Sequence, residues 1–285
     1  MSTNLTSKDF LLFQKYIEEQ CGISIRDDKA YLIESRLSRF LIKFGLADFE
    51  TLYQMLSQQK NQSLAEEVID ALTTNETLWF REKSPWQVLE DKLLPYYIDE
   101  LRQGKCSTVR IWSAACSTGQ EPYSIAMCID TYLMRHRITD ITLEQFEILA
   151  TDISNTVLQI AQRGKYDSIS MARGLEAHYR DQYFRQEGRI WVLDEKIKRA
   201  VRFVKFNLQK DFIPLGKFDL VFCRYVAIYF SNTFKKEVLK KISSVLVKGG
   251  LLVLGNSEVF FDSKENFQVE QYENAIFYRV RGDKN

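Results

Sequence analysis

Apolar residues in the first eighty positions recur at the three- and four-residue spacing of helices. Phe10, Phe13 and Ile17 share one face and stop before Gly22, a residue type that closes helices. Over residues 28–44, Ile33, Leu37, Phe40, Leu41 and Phe44 make one apolar stripe ended by Gly45, which predicts a second helix. Two shorter helices are expected near 48–58 and 63–72. A connector, Thr73-Thr-Asn-Glu-Thr-Leu-Trp-Phe-Arg81, comes next. Ser84-Pro85-Trp86-Gln87 then carries a capping serine, a first-turn proline and a capping-box glutamine. The helix it starts is expected to reach about Leu94, with Pro95 kinking or interrupting it before a last turn or two that ends at Gly104.

From Thr108 the rhythm changes. Strand patterns at 109–113, 146–151, 201–207, 218–223 and 251–256 alternate with helical stretches, which argues for a parallel, doubly wound sheet. Residues 267–280 read as a closing hairpin, and 183–193, with Glu187-Gly188 in the middle, as a short hairpin inserted into the α/β unit. The expected organisation is an all-α domain over 1–82, then an α/β domain over 83–285 with a small antiparallel β-subdomain at about 180–200.

Composition changes this picture little. A chain of 285 residues, 45% hydrophobic and 27% charged, is ordinary globular material, long enough for one domain with insertions or for two. With 39 basic and 38 acidic residues, bulk charge gives no reason to expect nucleic acid or an anionic membrane as partner. The polar start lacks the layout of a signal peptide and no apolar run approaches ~20 residues, so a cytoplasmic protein without membrane insertion is expected. The five cysteines are odd in number and never in C-x-x-C spacing, which favours buried thiols over disulfides or zinc. His136 and His178 are too few for a histidine cluster, and no metal is expected. Local charge is more informative. Lys29, Arg36, Arg39 and Lys43 fall within an arc of about 80° on the second helix. Such a ridge is either a solvated face or a docking surface for an acidic protein.

In a doubly wound sheet, ligands bind beyond the carboxyl ends of the strands. The segment after the first strand, Ser-Ala-Ala-Cys-Ser-Thr-Gly-Gln-Glu-Pro122, has small residues that admit a ligand close to the backbone, followed by a helix-starting proline. It has neither a full dinucleotide fingerprint nor a P-loop, so phosphate is not its obvious ligand. Asp152 ends the next strand, where a carboxylate accepts hydrogen bonds from both hydroxyls of a ribose; helix capping is the other use, and Ser154 fits that better. Glu121 suits either the ammonium of a methionine moiety or the dipole of its own helix. A nucleoside cofactor without phosphates fits both loops.

Five motifs together resemble the chemotaxis-receptor glutamate methyltransferases, the CheR family. They are Thr73-Thr-Asn75-x-Thr77-x-x-Phe80-Arg81, Ala115-Cys-Ser-Thr-Gly-x-Glu121-Pro-Tyr-Ser124, Ala150-Thr-Asp152-Ile-Ser, Asn207-Leu208 and Phe218-Asp-Leu-Val-Phe-Cys-Arg224-x-Val-x-Ile-Tyr229-Phe230. The resemblance implies an S-adenosylmethionine-dependent methyltransferase sheet with a small inserted β-subdomain, and methyl esters on glutamates of receptor cytoplasmic helices, with S-adenosylhomocysteine as product. Cofactor contacts would fall on Asn75, Thr77, Arg81, Glu121, Asp152, Asn207, Leu208 and Arg224. The basic ridge would meet the acidic methylation helices. Some relatives also grip a receptor's terminal peptide through the β-subdomain; the turn at Arg185-Gln-Glu-Gly188-Arg is short for that, so tether-independent recognition by a monomer is expected.

A glutamate carboxylate is already ionised at neutral pH, so its methylation calls for alignment rather than a strong base. Arg81 is the candidate to pair with the substrate carboxylate or to help close the site, a structural salt bridge being its other use, and Tyr229 to orient the carboxylate through a hydrogen bond, a core tyrosine being the other reading. Two positions depart from the family: Gln120, where many relatives have Glu, is the milder change, and Tyr225 the larger. Where relatives read Cys-Arg-Asn-Val, this chain has Tyr225, a flat ring with one hydroxyl. Two outcomes are open: Tyr225 stacks on the cofactor and keeps affinity, or it obstructs the pocket and leaves a weak enzyme or a regulatory binding module. A methyltransferase acting on RNA or a small molecule is disfavoured by the neutral charge and the lack of a nucleic-acid motif.

Overall fold

The computed structural model describes residues 4–58, 62–258, 266–272 and 275–281. Helices α1 (Ser7–Cys21), α2 (Ala30–Phe44), α3 (Phe49–Ser57) and α4 (Gln62–Leu72) form where the apolar stripes predict them. Thr6 and Asp9 cap α1 reciprocally, and Gly22 closes it in a left-handed conformation at φ 75°. Phe13, Ile17, Ile33, Leu37, Phe49, Leu52 and Val68 meet in one core. Each such side chain, fully buried, contributes roughly 1.5–3 kcal/mol. Phe44 does not join it. It lies in the last turn of α2, where Gly45 already redirects the chain, and stays exposed with the Lys43 ammonium 5.1 Å from its ring centroid.

Beyond the connector come α5 (Ser84–Val88), a π-helical turn (Leu89–Leu93) and α6 (Leu94–Arg102). The expected Ser84 capping box does not form. The cap position is Lys83, whose carbonyl accepts from the Trp86 and Gln87 amides at 3.2 Å each, and Ser84 is buried inside the first turn. Pro95 does not end the helix, because the wide π turn before it absorbs the missing N–H.

The α/β domain contains β1 (Val109–Ala114), α7 (Gln120–Arg135), β2 (Phe146–Asp152), α8 (Asn155–Arg163), β3 (Lys165–Asp167), α9 (Ser168–Ala172), α10 (Ala177–Tyr183), β4 (Phe184–Glu187), β5 (Ile190–Leu193), α11 (Glu195–Arg199), β6 (Val201–Lys205), β7 (Phe218–Cys223), α12 (Asn232–Val245), β8 (Leu246–Val253), β9 (Phe267–Tyr272) and β10 (Ala275–Val280). Seven strands make one sheet in the order β6-β2-β1-β7-β8-β10-β9, parallel up to β8 and antiparallel in the closing hairpin. Residues 273–274 of that hairpin lie outside the described residues. The strand expected at 201–207 stops at Lys205, and the one expected at 251–256 begins earlier, at Leu246.

The pleat feeds two cores, one on each face. Val109 and Ile111 of β1 enter the core shared with α7, whereas Trp112 and Ala114 enter the core shared with α12. The small insert is a three-stranded antiparallel sheet, β3-β5-β4. Its hairpin was expected. The third strand, β3, was not: only Tyr166 of its three residues is buried, too little for a visible period.

Candidate active site

Chain order reverses at β1, with β2 on one side and β7 on the other, and the loops leaving these three strands surround one cleft. Asn75, Thr77, Arg81, Glu121, Asp152, Asn207, Leu208, Arg224, Tyr225 and Tyr229 all line it. The connector forms one wall. Cys21 and Ile23, from the end of the helical domain, add to another, where Ser24 N–H donates to Tyr229 O at 2.8 Å.

The loop after β1 is held in an unusual path, with φ of 58° at Ala115, 50° at Ser117 and 92° at Gly119. Its shape is imposed by partners. Cys116 N–H donates to Thr151 O at 2.9 Å, and Ser117 N–H to Asp152 Oδ2 at 2.8 Å. Ser117 Oγ donates to Asn75 O, and Tyr166 OH to Thr118 O, both at 2.8 Å. Gly119 is required here, since a Cβ would lie 2.9 Å from Ala161 Cβ. Asp152 Oδ1 accepts from Ser154 N–H at 3.0 Å, while Ser154 itself caps α8. Burial pushes the Asp152 carboxyl above its ordinary value, opposed by the Ser154 and Ser117 amides.

At the base of the cleft, Arg224 is a buried strut with 1% of its side chain exposed. Nη1 meets Glu121 Oε2 at 3.0 Å, and Nη2 meets Glu82 Oε2 at 2.8 Å and the Arg81 carbonyl. Its buried Nε has no partner among the described residues. Glu121 Oε1 accepts from Ser113 Oγ at 2.7 Å, so both oxygens of this carboxylate already have a donor.

Tyr225 is engaged by the chain's own side chains. Its ring lies against the Arg81 guanidinium, 3.3 Å from ring centroid to Cζ, and its hydroxyl donates to Glu82 Oε1. Its amide donates to Glu258 Oε2 at 2.5 Å. Burial, then the bond to Glu82, raises the phenol above its ordinary value. Asn207 ties the two domains, with Nδ2 donating to Gln20 O at 2.7 Å and Oδ1 accepting from Gln209 N–H at 2.9 Å.

Lys29, which immediately precedes α2, and Arg36, Arg39 and Lys43 within it do not form one free ridge. Arg36 turns inward, its Nη1 donating to Leu72 O at 2.8 Å and Thr73 O at 3.2 Å, and Lys43 pairs with Glu67 at 2.6 Å. Lys29 and Arg39 lean on Tyr31 and Phe40, at 5.6 and 5.1 Å from the ring centroids. Glu82 and Glu258 escaped the sequence reading. Glu258 lies five residues beyond the end of β8, past the strand-end position that singled out Asp152, and Glu82 adjoins Arg81 and carries no local signal.

Residues 8–73 match the family profile of the CheR methyltransferase all-alpha domain, and residues 75–276 that of the CheR methyltransferase SAM binding domain. The chain belongs to the CheR methyltransferase family. It is 41% identical over 274 residues to the chemotaxis protein methyltransferase Cher2 of Pseudomonas putida, covering 96% of this chain and 98% of that one. Identity is 40% over 278 residues to chemotaxis protein methyltransferase 1 of Pseudomonas aeruginosa, covering 96% and 98%. It is also 40% over 279 residues to the chemotaxis protein methyltransferase of Vibrio parahaemolyticus, covering 97% and 98%. This CheR chain is thus an S-adenosylmethionine-dependent methyltransferase of chemotaxis, and every cleft residue from Asn75 onward lies within the SAM-binding match. Among the described residues no cluster of acidic, histidine or cysteine side chains is placed to hold a metal, and no helix is long and apolar enough to cross a membrane.

Proposed function

We propose that the cleft binds S-adenosylmethionine and that the methyl group is delivered to glutamate side chains on the cytoplasmic helices of chemoreceptors, giving methyl esters and S-adenosylhomocysteine. The observation that carries this reading is the convergence of Asn75, Arg81, Glu121, Asp152, Asn207 and Arg224, from five separate segments, on one cleft at the sheet's switch point. When bound, the cofactor supplies a methyl on a sulfonium, which an ionised carboxylate accepts without a general base.

The chain's own residues hold and align. Asp152, whose oxygens keep lone pairs beyond the two amides they serve, accepts from the ribose hydroxyls. Glu121 faces the methionine ammonium, with Arg224 fixing its orientation. Asn75, Thr77, Asn207 and Leu208 line the same cleft and are assigned to the nucleoside in this reading. Arg81, held flat against Tyr225, pairs with the incoming carboxylate, and Tyr229 orients it. The connector walls the cleft and so helps to exclude water, which favours a transfer in which opposite charges disappear. Arg39, Lys29 and the outer face of Lys43 are the docking cations for an acidic receptor helix. The two-residue β4–β5 turn supports recognition without a peptide tether, and the enzyme works as a cytoplasmic monomer.

A second reading rests on Tyr225. Its ties to Arg81 and Glu82 would suit a regulatory module that binds the cofactor or its product without turnover. Incubation with radiolabelled S-adenosylmethionine and receptor-containing membranes separates the two. Base-labile methanol release is expected; tight calorimetric binding of S-adenosylhomocysteine with no methanol would leave only the module.

A further inference from the structure

We infer that Arg36 is a positioning residue of the cofactor cleft, linking α2 to the groups that shape the nucleoside site; this rests on the cofactor reading proposed above. The last carbonyls of α4 lack helical partners, and a cation at that end is favoured by the helix dipole. Arg36 fills this role from the neighbouring helix, donating to Leu72 O at 2.8 Å and Thr73 O at 3.2 Å, with Nη2 3.4 Å from Thr74 Oγ1. It therefore fixes the point where the chain leaves α4 and becomes the cleft wall.

From there a continuous hydrogen-bonded path runs into the site. Thr73 Oγ1 donates to Asp70 O at 2.9 Å and accepts from Asn75 Nδ2 at 3.3 Å. Asn75 O accepts from Ser117 Oγ at 2.8 Å, and Ser117 N–H donates to Asp152 Oδ2 at 2.8 Å. Ser117 holds φ at 50°, a conformation a serine keeps only while such partners enforce it. Loosening Thr73 therefore releases Asn75, then the β1–α7 loop, then the orientation of Asp152. The three other cations of the expected ridge are differently engaged: Lys43 pairs with Glu67, and Lys29 and Arg39 rest on rings. A docking role and a positioning role for Arg36 thus make opposite predictions, because only the second acts with no receptor present.

The decisive measurement is the calorimetric Kd of the full chain for S-adenosylhomocysteine, without receptor. Removing a charged donor from such a path is expected to weaken binding by about tenfold in Arg36→Gln, with partial recovery in Arg36→Lys, which restores one donor. Thr73→Val should weaken it as well, and the double variant should bind no more weakly than the worse single one, since both cut one path. Arg36→Gln with the parent Kd but a raised receptor KM would overturn the inference and return Arg36 to the docking surface. Strict additivity of the two substitutions would overturn it too. If Arg36→Gln does not fold, Thr73→Val decides alone, a parent-like Kd counting against the path. A parent chain that fails to bind the product would instead sink the cofactor reading, and this inference with it.

Discussion

Tyr225 has φ 59°, in the left-handed region that asparagine tolerates and bulky side chains enter at a cost on the order of 1 kcal/mol. An asparagine, the residue that the family resemblance leads one to expect here, would suit this backbone without that cost. Here the strain is offset by the Glu258 carboxylate on the amide, Glu82 on the hydroxyl and Arg81 on the ring. A stacked guanidinium is worth about 1–2 kcal/mol when shielded from water, so Tyr225→Ala should lower kcat about five- to thirtyfold while product Kd changes less than about threefold. Tyr225→Phe keeps the stack and should stay close to the parent; parallel loss in both variants would assign the effect to the hydroxyl instead. At this scale the candidate site was legible wherever topology alone places a residue, just past a strand end. Glu82 and Glu258 were not, because each acts on groups far along the chain, 142 residues away for Arg224 and 33 for Tyr225.

The connector is the element on which the cleft depends, and it is anchored at Trp79. That side chain is fully buried, edge-on to Tyr166 and Phe184 at 4.9 and 5.4 Å, with Nε1 donating to Ser170 O at 3.1 Å and its amide to Arg173 O at 3.0 Å. The inserted β-subdomain thus braces the cleft wall. Gly174 permits the approach: at φ 95°, a Cβ there would lie 2.2 Å from Trp79 O. Gly174→Ala combines backbone strain with that clash and should cost about 2–4 kcal/mol, read as a lower urea midpoint together with weaker product binding. Loss of stability with unchanged binding would detach the subdomain from the cleft. Long periodic stretches made most elements readable in advance. The failures were short or decided elsewhere: β3 has three residues, and the Ser84 box yields to a helix that opens at Lys83, just after Glu82 takes φ 63°.

Across the whole molecule, charge and cooperativity become testable. The Asp152 carboxyl is raised chiefly by burial, so its protonated form is favoured in the fold and its ionisation costs stability as pH rises through the raised value. Acidification through that value removes an acceptor. Product affinity should therefore decline at a pH where an ordinary aspartate, near about 3.9, is still ionised, and Asp152→Asn should bind weakly with a flatter profile. Constant affinity down to that ordinary value would contradict the assignment. Receptor docking through Arg39 and Lys29 should instead weaken with added salt, as exposed charges do. The roof supplied by Cys21 and Ile23 has a thermodynamic corollary: a ligand seated beneath it holds the helical domain to the sheet. At a hundredfold excess over Kd, such a ligand adds about 2.7 kcal/mol to the form in which both domains are folded and apposed. Heat should melt the free protein in two overlapping calorimetric steps and the liganded protein in one, so the sharpness of melting itself becomes a gauge of occupancy.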